Sequence, residues 1–310
     1  MKNSTLLLSA GLLFFGYANA QSTLIGDRTS ENLKGNVAHL TQKYYEIVKE
    51  EGKDTVENPY QNADRNYDVS YTPKGGISNA TVYFTGAKVE YNFNFKYDNA
   101  GNKIQETWFN EEGNLDSRIT RKFSNNGFLM EIKKYDDTTA EYIDKYVYEV
   151  DPVGRPLKIT HYDGENALIE STTFLYDGYG NAIEEHSFDA KGKELRKTLC
   201  SYDSRHLVTA KDIYNGDGSL QSKAKFTYEF RGKLSGEQIF DNNGKLVEKN
   251  TYVYNDQGDK TEWTSFDRTG FVAYKYTYSY EYDANGNWVR CKEFKAGVPA
   301  FVTVREVKYN

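Results

Sequence analysis

The phrase YDANGN at 282–287 returns as YDNAGN at 97–102 and as YDGYGN at 176–181. Aligned on its first residue, the chain carries an aromatic or apolar anchor at Tyr71, Tyr97, Phe123, Val150, Tyr176, Tyr202, Tyr228, Tyr254 and Tyr282, in steps of 26, 26, 27, 26, 26, 26, 26 and 28. A period of this size marks an array of like supersecondary units. Four residues after each anchor stands a glycine, except at His206. Twelve after each anchor stands Tyr or Phe without exception, from Tyr83 and Phe109 to Phe266 and Phe294. Sixteen after, a second glycine recurs at Gly113, Gly192, Gly218, Gly244 and Gly270.

Asp or Asn at the first turn position bonds the backbone further on, and a glycine three residues later takes positive φ at no steric cost, so D-x-x-G closes a short hairpin. The two glycine series leave roughly eight to ten residues for each strand between turns. Each unit is therefore two strands and two turns. Strict alternation in YNFNFKY (91–97) and YKYTYSYEY (274–282) sets the aromatics on one face of a strand. The expected fold is all-β: a long antiparallel β-meander of about nine 26-residue two-strand repeats, forming a twisted or coiled single sheet, because open sheets of more than about ten strands curl as their twist accumulates.

Residues 1–20 have one early Lys, an apolar run too short to span a bilayer, and small residues at Ala18 and Ala20. They read as a signal peptide cleaved after Ala20. The mature chain is expected in the periplasm or outside the cell, with no membrane insertion. Residues 21–66 form a lead-in whose stretch VAHLTQKYYEIV is expected to be a strand capping the N-terminal edge, followed by a polar loop from Lys49 to about Arg65; the array fills 67–310. The net charge of -6 becomes -7 once Lys2 is lost with the leader. An acidic balance argues against a nucleic-acid partner, since such binders carry a basic face.

The phrases YDNAGN, YDGYGN and YDANGN, with FDNNGKL and FNEEGNL, resemble the YD repeats of RHS and teneurin-type proteins. The resemblance covers about 67–310. Its larger members wind a β-strip into a hollow shell around cargo. Nine units are too few for such a shell, and neither a self-cleaving segment nor an effector follows the array, so the chain is more similar to short secreted YD-repeat proteins of Gram-negative envelopes. That resemblance implies no particular activity.

No nucleophile elbow, zinc spacing or phosphate loop is present. On the repeat frame His161 and His186 face opposite sides of the sheet, and neighbouring carboxylates such as Glu184 and Glu185 point apart. No metal, cofactor or catalytic residue is assigned, and the reading is non-enzymatic. Cys200 and Cys291 lie seven strands apart, which in an open sheet is roughly 34 Å, so no disulfide is expected. The candidate binding residues are Trp108, Trp263, Trp288 and the anchors Tyr97, Tyr176, Tyr202, Tyr228, Tyr254 and Tyr282, whose rings suit a protein or glycan partner. The alternatives are a carbohydrate-active hydrolase with paired carboxylates on one sheet face, or a structural spacer.

Overall fold

Each repeat phrase closes a hairpin in the same way. At 98–102, the Asp98 N–H donates to the Asn102 carbonyl at 3.0 Å, the Gly101 N–H donates to the Asp98 carbonyl at 3.0 Å, and Asp98 Oδ1 accepts the Asn102 N–H at 2.8 Å. The turns headed by Asp177, Asp203, Asp241, Asp267 and Asp283 repeat this set of bonds. The fourth position needs the left-handed backbone region: Gly101 has φ of 97° and His206, where glycine is missing, has φ of 65°. There a side chain costs about 1–2 kcal/mol. His206 has compensating contacts, a bond to Asn181 Oδ1 at 3.2 Å and the ring of Tyr179 beside it. The register slips by one residue just before the anchor, as between Lys96 and Tyr97 or Thr227 and Tyr228. Such bulges sharpen the right-handed twist at every hairpin.

The computed structural model describes residues 25–48, 56–60, 65–85, 88–136 and 141–310. The expected signal peptide and its cleavage site lie outside the described residues. The strands are β1 (Val37–Val48), β2 (Val56–Pro59), β3 (Tyr67–Tyr71), β4 (Ile77–Thr85), β5 (Lys88–Tyr97), β6 (Lys103–Phe109) and β7 (Leu115–Phe123). Next come β8 (Leu129–Asp136), β9 (Asp144–Val150), β10 (Pro156–Asp163), β11 (Leu168–Tyr176), β12 (Ala182–Asp189), β13 (Glu194–Tyr202) and β14 (Val208–Asn215). The last are β15 (Leu220–Tyr228), β16 (Leu234–Phe240), β17 (Leu246–Tyr254), β18 (Lys260–Phe266), β19 (Val272–Tyr282), β20 (Trp288–Lys295) and β21 (Val298–Tyr309).

From β3 onward each strand pairs antiparallel with the next, and the two ends meet on β1. One edge of β1 takes β3, from His39↔Ser70 to Gln42↔Tyr67, and the other takes β21, from Val37↔Tyr309 to Glu46↔Phe301. The result is a closed antiparallel barrel of 20 strands, with β2 as a short extra strand on the far end of β1. This corrects the expected twisted or coiled single-sheet meander of YD-like repeats. The stretch Val37–Val48 is a strand, but it joins both ends of the sheet instead of capping one, and closure removes the free edges that an open strip exposes. The expected polar loop after Lys49 contains β2, while 49–55 and 61–64 lie outside the described residues.

One face of the sheet is apolar. Leu40, Val69, Ala80, Phe93 and Trp108 stand directly opposite one another across five strands, and all are buried. Ile25 and Leu33 of the N-terminal segment pack against this row. The same segment donates from Arg28 to the Pro73 carbonyl in the β3–β4 turn and from Asn32 to the Gln257 carbonyl in the β17–β18 turn. Residues four apart thus reach turns separated by β18–β21, β1 and β3, which requires the segment to lie across the inside of the curve. The apolar face is therefore concave. The convex face is mixed, with Thr81 bonded to Asn92, ion pairs Lys197–Glu184, Lys223–Asp212 and Lys275–Glu262, and the rings of Tyr135, Phe240 and Phe266 under cationic side chains.

The closing seam is fastened by Arg305. Its Nε donates to Gln42 Oε1 at 2.8 Å and its Nη2 to Glu31 Oε2 at 2.6 Å, and its guanidinium lies 3.7 Å from the Trp288 ring centroid. The Arg305 side chain is 6% exposed, so removing it strands a nearly buried carboxylate, a loss of about 3–5 kcal/mol. We expect Arg305→Ala to lower unfolding free energy by that amount in urea titration, and Tyr228→Phe, which removes one neutral hydrogen bond, to cost only about 1 kcal/mol.

Candidate concave-wall site

The anchor tyrosines face the concave side, where their hydroxyls serve the backbone. Tyr97, Tyr176, Tyr202, Tyr228 and Tyr254 each donate to the carbonyl of the residue twenty positions earlier, at 2.7–2.9 Å. In the last unit, where the step lengthens to 28, Tyr280 takes that place on Lys260, and Tyr282 donates instead to Asp259 Oδ2 at 2.8 Å. These rings are distributed around the barrel and form no single cluster.

The three tryptophans also part. Trp108 on β6 is buried edge-on to Phe93, its Nε1 bonded to Glu106 Oε1 at 2.9 Å. Trp263 and Trp288 lie on β18 and β20, remote from it around the ring. Trp288 is covered by Arg305 and meets Tyr280 edge to face. Trp263 is the ring that remains partly open to the interior, and a site forms around it.

Register builds that site. Tyr252, Trp263 and Tyr276 stand opposite one another across β17, β18 and β19, and Glu237 on β16 stands opposite Asn250 on β17. The Trp263 and Tyr276 rings lie nearly parallel, 5.3 Å between centroids and 12° between planes. The Asn250 amide nitrogen donates to Glu237 Oε1 at 2.9 Å and to Glu248 Oε1 at 2.7 Å, while Asn250 Oδ1 accepts from Trp263 Nε1 at 3.1 Å. Tyr252 Oη donates to Glu237 Oε1 at 2.6 Å. Burial, then the bond to Glu237, raises the Tyr252 hydroxyl well above its ordinary range, which keeps it a donor. Lys260 lies near the Tyr252, Trp263 and Tyr278 rings, and burial holds its ammonium below its usual pKa, partly offset by Glu293.

Glu237 and Asn250 are buried, whereas Tyr252, Trp263 and Tyr276 are only half-buried. Among the described residues no hydrophobic side chain between Ala182 and Cys291 is fully buried. Along this arc the concave face carries half-buried rings among buried polar side chains such as Ser187, Thr198 and Asn250. Barrels of about eight strands are packed solid, while those of 16–18 leave an aqueous channel. Twenty strands accordingly enclose a lumen. Glu237 and Asn250 are not recognisable as partners in sequence, because only the pairing register brings them beside the aromatic row.

The remaining candidates do not assemble. His161 stacks on Tyr146 and bonds Asp144 at 2.6 Å on the concave side, whereas His186 contacts Glu184 and Glu194. Among the described residues no group of three or more His, Cys, Asp and Glu side chains is arranged for a metal ion. Cys200 and Cys291 are free thiols.

No protein-family model matches the sequence, and no curated protein does. Among solved structures, the chain is similar to a porin-like protein from Bacteroides uniformis at 11% identity, covering 89% of this chain and 98% of that one with a TM-score of 0.34. A porin-like protein from Bacteroides vulgatus gives 11% identity, 88% and 98% coverage, and a TM-score of 0.30. A TcdB2–TccC3 structure gives 11% identity over 85% of this chain but 19% of its own, with a TM-score of 0.26. Likenesses with TM-scores this low transfer neither fold nor role.

Burial pushes the Cys291 thiol from 9.0 up to about 11, against a lowering bond from Tyr280, and burial raises Tyr148 from 10.0 to about 12. Both groups are held neutral in the folded state, so their contribution is whole below pH 9 and is lost as pH rises toward 11–12. We expect the unfolding free energy from urea titration to fall over that window by at most about 1.4 kcal/mol per pH unit for each group, and Cys291→Ala to flatten the first part of the fall.

Proposed function

We propose that this is a non-enzymatic, water-soluble protein of the cell envelope, a short relative of the YD-repeat proteins, that binds a glycan against the aromatic wall of its lumen. The observation that carries the proposal is the parallel Trp263–Tyr276 pair, half-open on the concave face beside Glu237, Glu248 and Asn250. Flat rings next to hydrogen-bonding groups suit the apolar face and hydroxyl rim of a sugar ring. The platform lies inside the ring, which favours a narrow chain of sugars over a folded protein. Two carboxylates at the site favour neutral or amino sugars over uronic acids.

The faces support solubility. A barrel in lipid presents an apolar band outward and a polar interior, whereas here the outward strand residues include Lys197, Lys223, Lys225, Lys249 and Lys275, and the outward rings of Tyr135, Phe240 and Phe266 lie under Arg118, Lys225 and Lys249. Entry to the periplasm or the cell exterior follows from the leader at 1–20, read from sequence.

The hydrolase alternative has one feature in its favour, the two carboxylates Glu237 and Glu248 beside an aromatic platform. Glycoside hydrolysis needs the carboxyl groups to flank the scissile bond with room between them. Here the Asn250 amide nitrogen sits within 3 Å of both, at 2.9 and 2.7 Å, and occupies that room. Holding is the task this geometry suits.

A glycan array with purified protein tests the proposal. We expect capture of a neutral or amino-sugar chain, weakened at least tenfold by Trp263→Ala with the far-UV spectrum unchanged. Absence of glycan capture, or capture indifferent to Trp263→Ala, would refute it, and release of shortened glycan would establish hydrolysis.

A further inference from the structure

A second cleft, of about 640 Å³, opens at the rim where the N-terminal segment meets the β3–β4 and β5–β6 turns. Its floor is apolar, made by the buried side chains of Ile25, Ile77 and Phe95 with Tyr97 beside them. Gly76 keeps that floor clear, since a Cβ there would fall 2.8 Å from Tyr97 Oη.

Four charged groups line the cleft, and two already have their charged atoms engaged. Lys103 is bonded to Glu106 at 3.1 Å, and both carboxylate oxygens of Asp98 accept from Asn102. Asp27 and Lys74 are in no ion pair among the described residues and keep bonding capacity to spare. Lys74 Nζ donates only to the Asn99 carbonyl at 3.0 Å. Asp27 Oδ1 accepts from the Ser30 N–H and hydroxyl at 2.8 and 2.9 Å, which leaves Oδ2 without a partner. Asp27 and Lys74 are exposed at the mouth, above an apolar floor. The volume falls within the roughly 300–1,000 Å³ of small-molecule sites.

One unmatched carboxylate, one unmatched ammonium and an apolar floor are the complement of a molecule carrying an ammonium, a carboxylate and an apolar body. We infer that this cleft binds an apolar zwitterion of the free amino acid or dipeptide class, its carboxylate toward Lys74, its ammonium toward Asp27 and its side chain over Phe95 and Ile77. This site shares no residue with the Trp263–Tyr276 platform and stands or falls apart from the glycan reading.

Titration calorimetry with L-leucine and L-leucyl-L-leucine, and with their N-acetylated and C-amidated forms, tests it on the purified protein. We expect one zwitterion to bind at one site per chain, with either blocked form at least tenfold weaker. Lys74→Met should weaken the zwitterion about tenfold and abolish discrimination against the amide, while Asp27→Asn should do the same for the acetylated form. Both positions are exposed, and unchanged circular dichroism establishes that the variants fold. Trp263→Ala should leave binding untouched. The inference is overturned if neither zwitterion binds, if blocked and unblocked forms bind alike, if both rim variants keep wild-type affinity, or if Trp263→Ala alone abolishes binding.

Discussion

Nine residue pairs between β1 and β21, from Val37↔Tyr309 to Glu46↔Phe301, decide what the rest of the chain becomes. Without them the hairpins form a strip with two bare edges and two wet faces. With them every strand of the ring has two neighbours, and one face is enclosed. The pairing joins residues more than 250 positions apart, so its loop-closure entropy is met only after the intervening hairpins have shortened the path. Arg305 helps to hold the seam by bridging Gln42 on β1 and Glu31 on the N-terminal segment, with Tyr67 on β3 at 3.3 Å.

Enclosure divides the molecule. Around β1, β3–β6 and the N-terminal segment the concave face is a true core, from Ile25 to Trp108. A second, smaller knot is formed by Ile119, Ile132, Tyr146 and Tyr148. On β13–β19 the same face carries half-buried rings and buried polar pairs in place of an apolar core. The packed arc supports the barrel, and the open arc carries the proposed glycan platform. The strands hold position on that open arc through the tyrosine hydroxyls, each fixing a carbonyl at the start of the preceding strand.

Much of the local structure was legible in sequence. The D-x-x-G phrases are turns because Asp98 and its counterparts bond the backbone and the glycines take positive φ, and the exception at His206 shows the same backbone without the glycine. The alternating rings of YKYTYSYEY share a face because strand residues point to alternate sides. Closure was not legible. The partners KYYEIV and FVTVREV read as ordinary strands, and no local motif records that residues about 260 positions apart pair. The site was half legible: Trp263 was a candidate as an exposed ring, but Glu237, Glu248 and Asn250 converge through register, which a shift of one residue would have sent to the other face. The anchor tyrosines read as a platform because their rings align, while their hydroxyls, which sequence does not locate, are bonded to the backbone.

The most direct measurement is a disulfide across the seam. Lys43 and Val304 are directly paired on the convex face. In a Cys200→Ser, Cys291→Ser background, Lys43→Cys with Val304→Cys should oxidise to an intramolecular bond in nearly all molecules, without dimers and with raised resistance to urea. In an open or coiled strip those residues sit at opposite edges. Thiols that stay reduced under oxidation, or that form only intermolecular bonds, would contradict the closed barrel and the lumen with it.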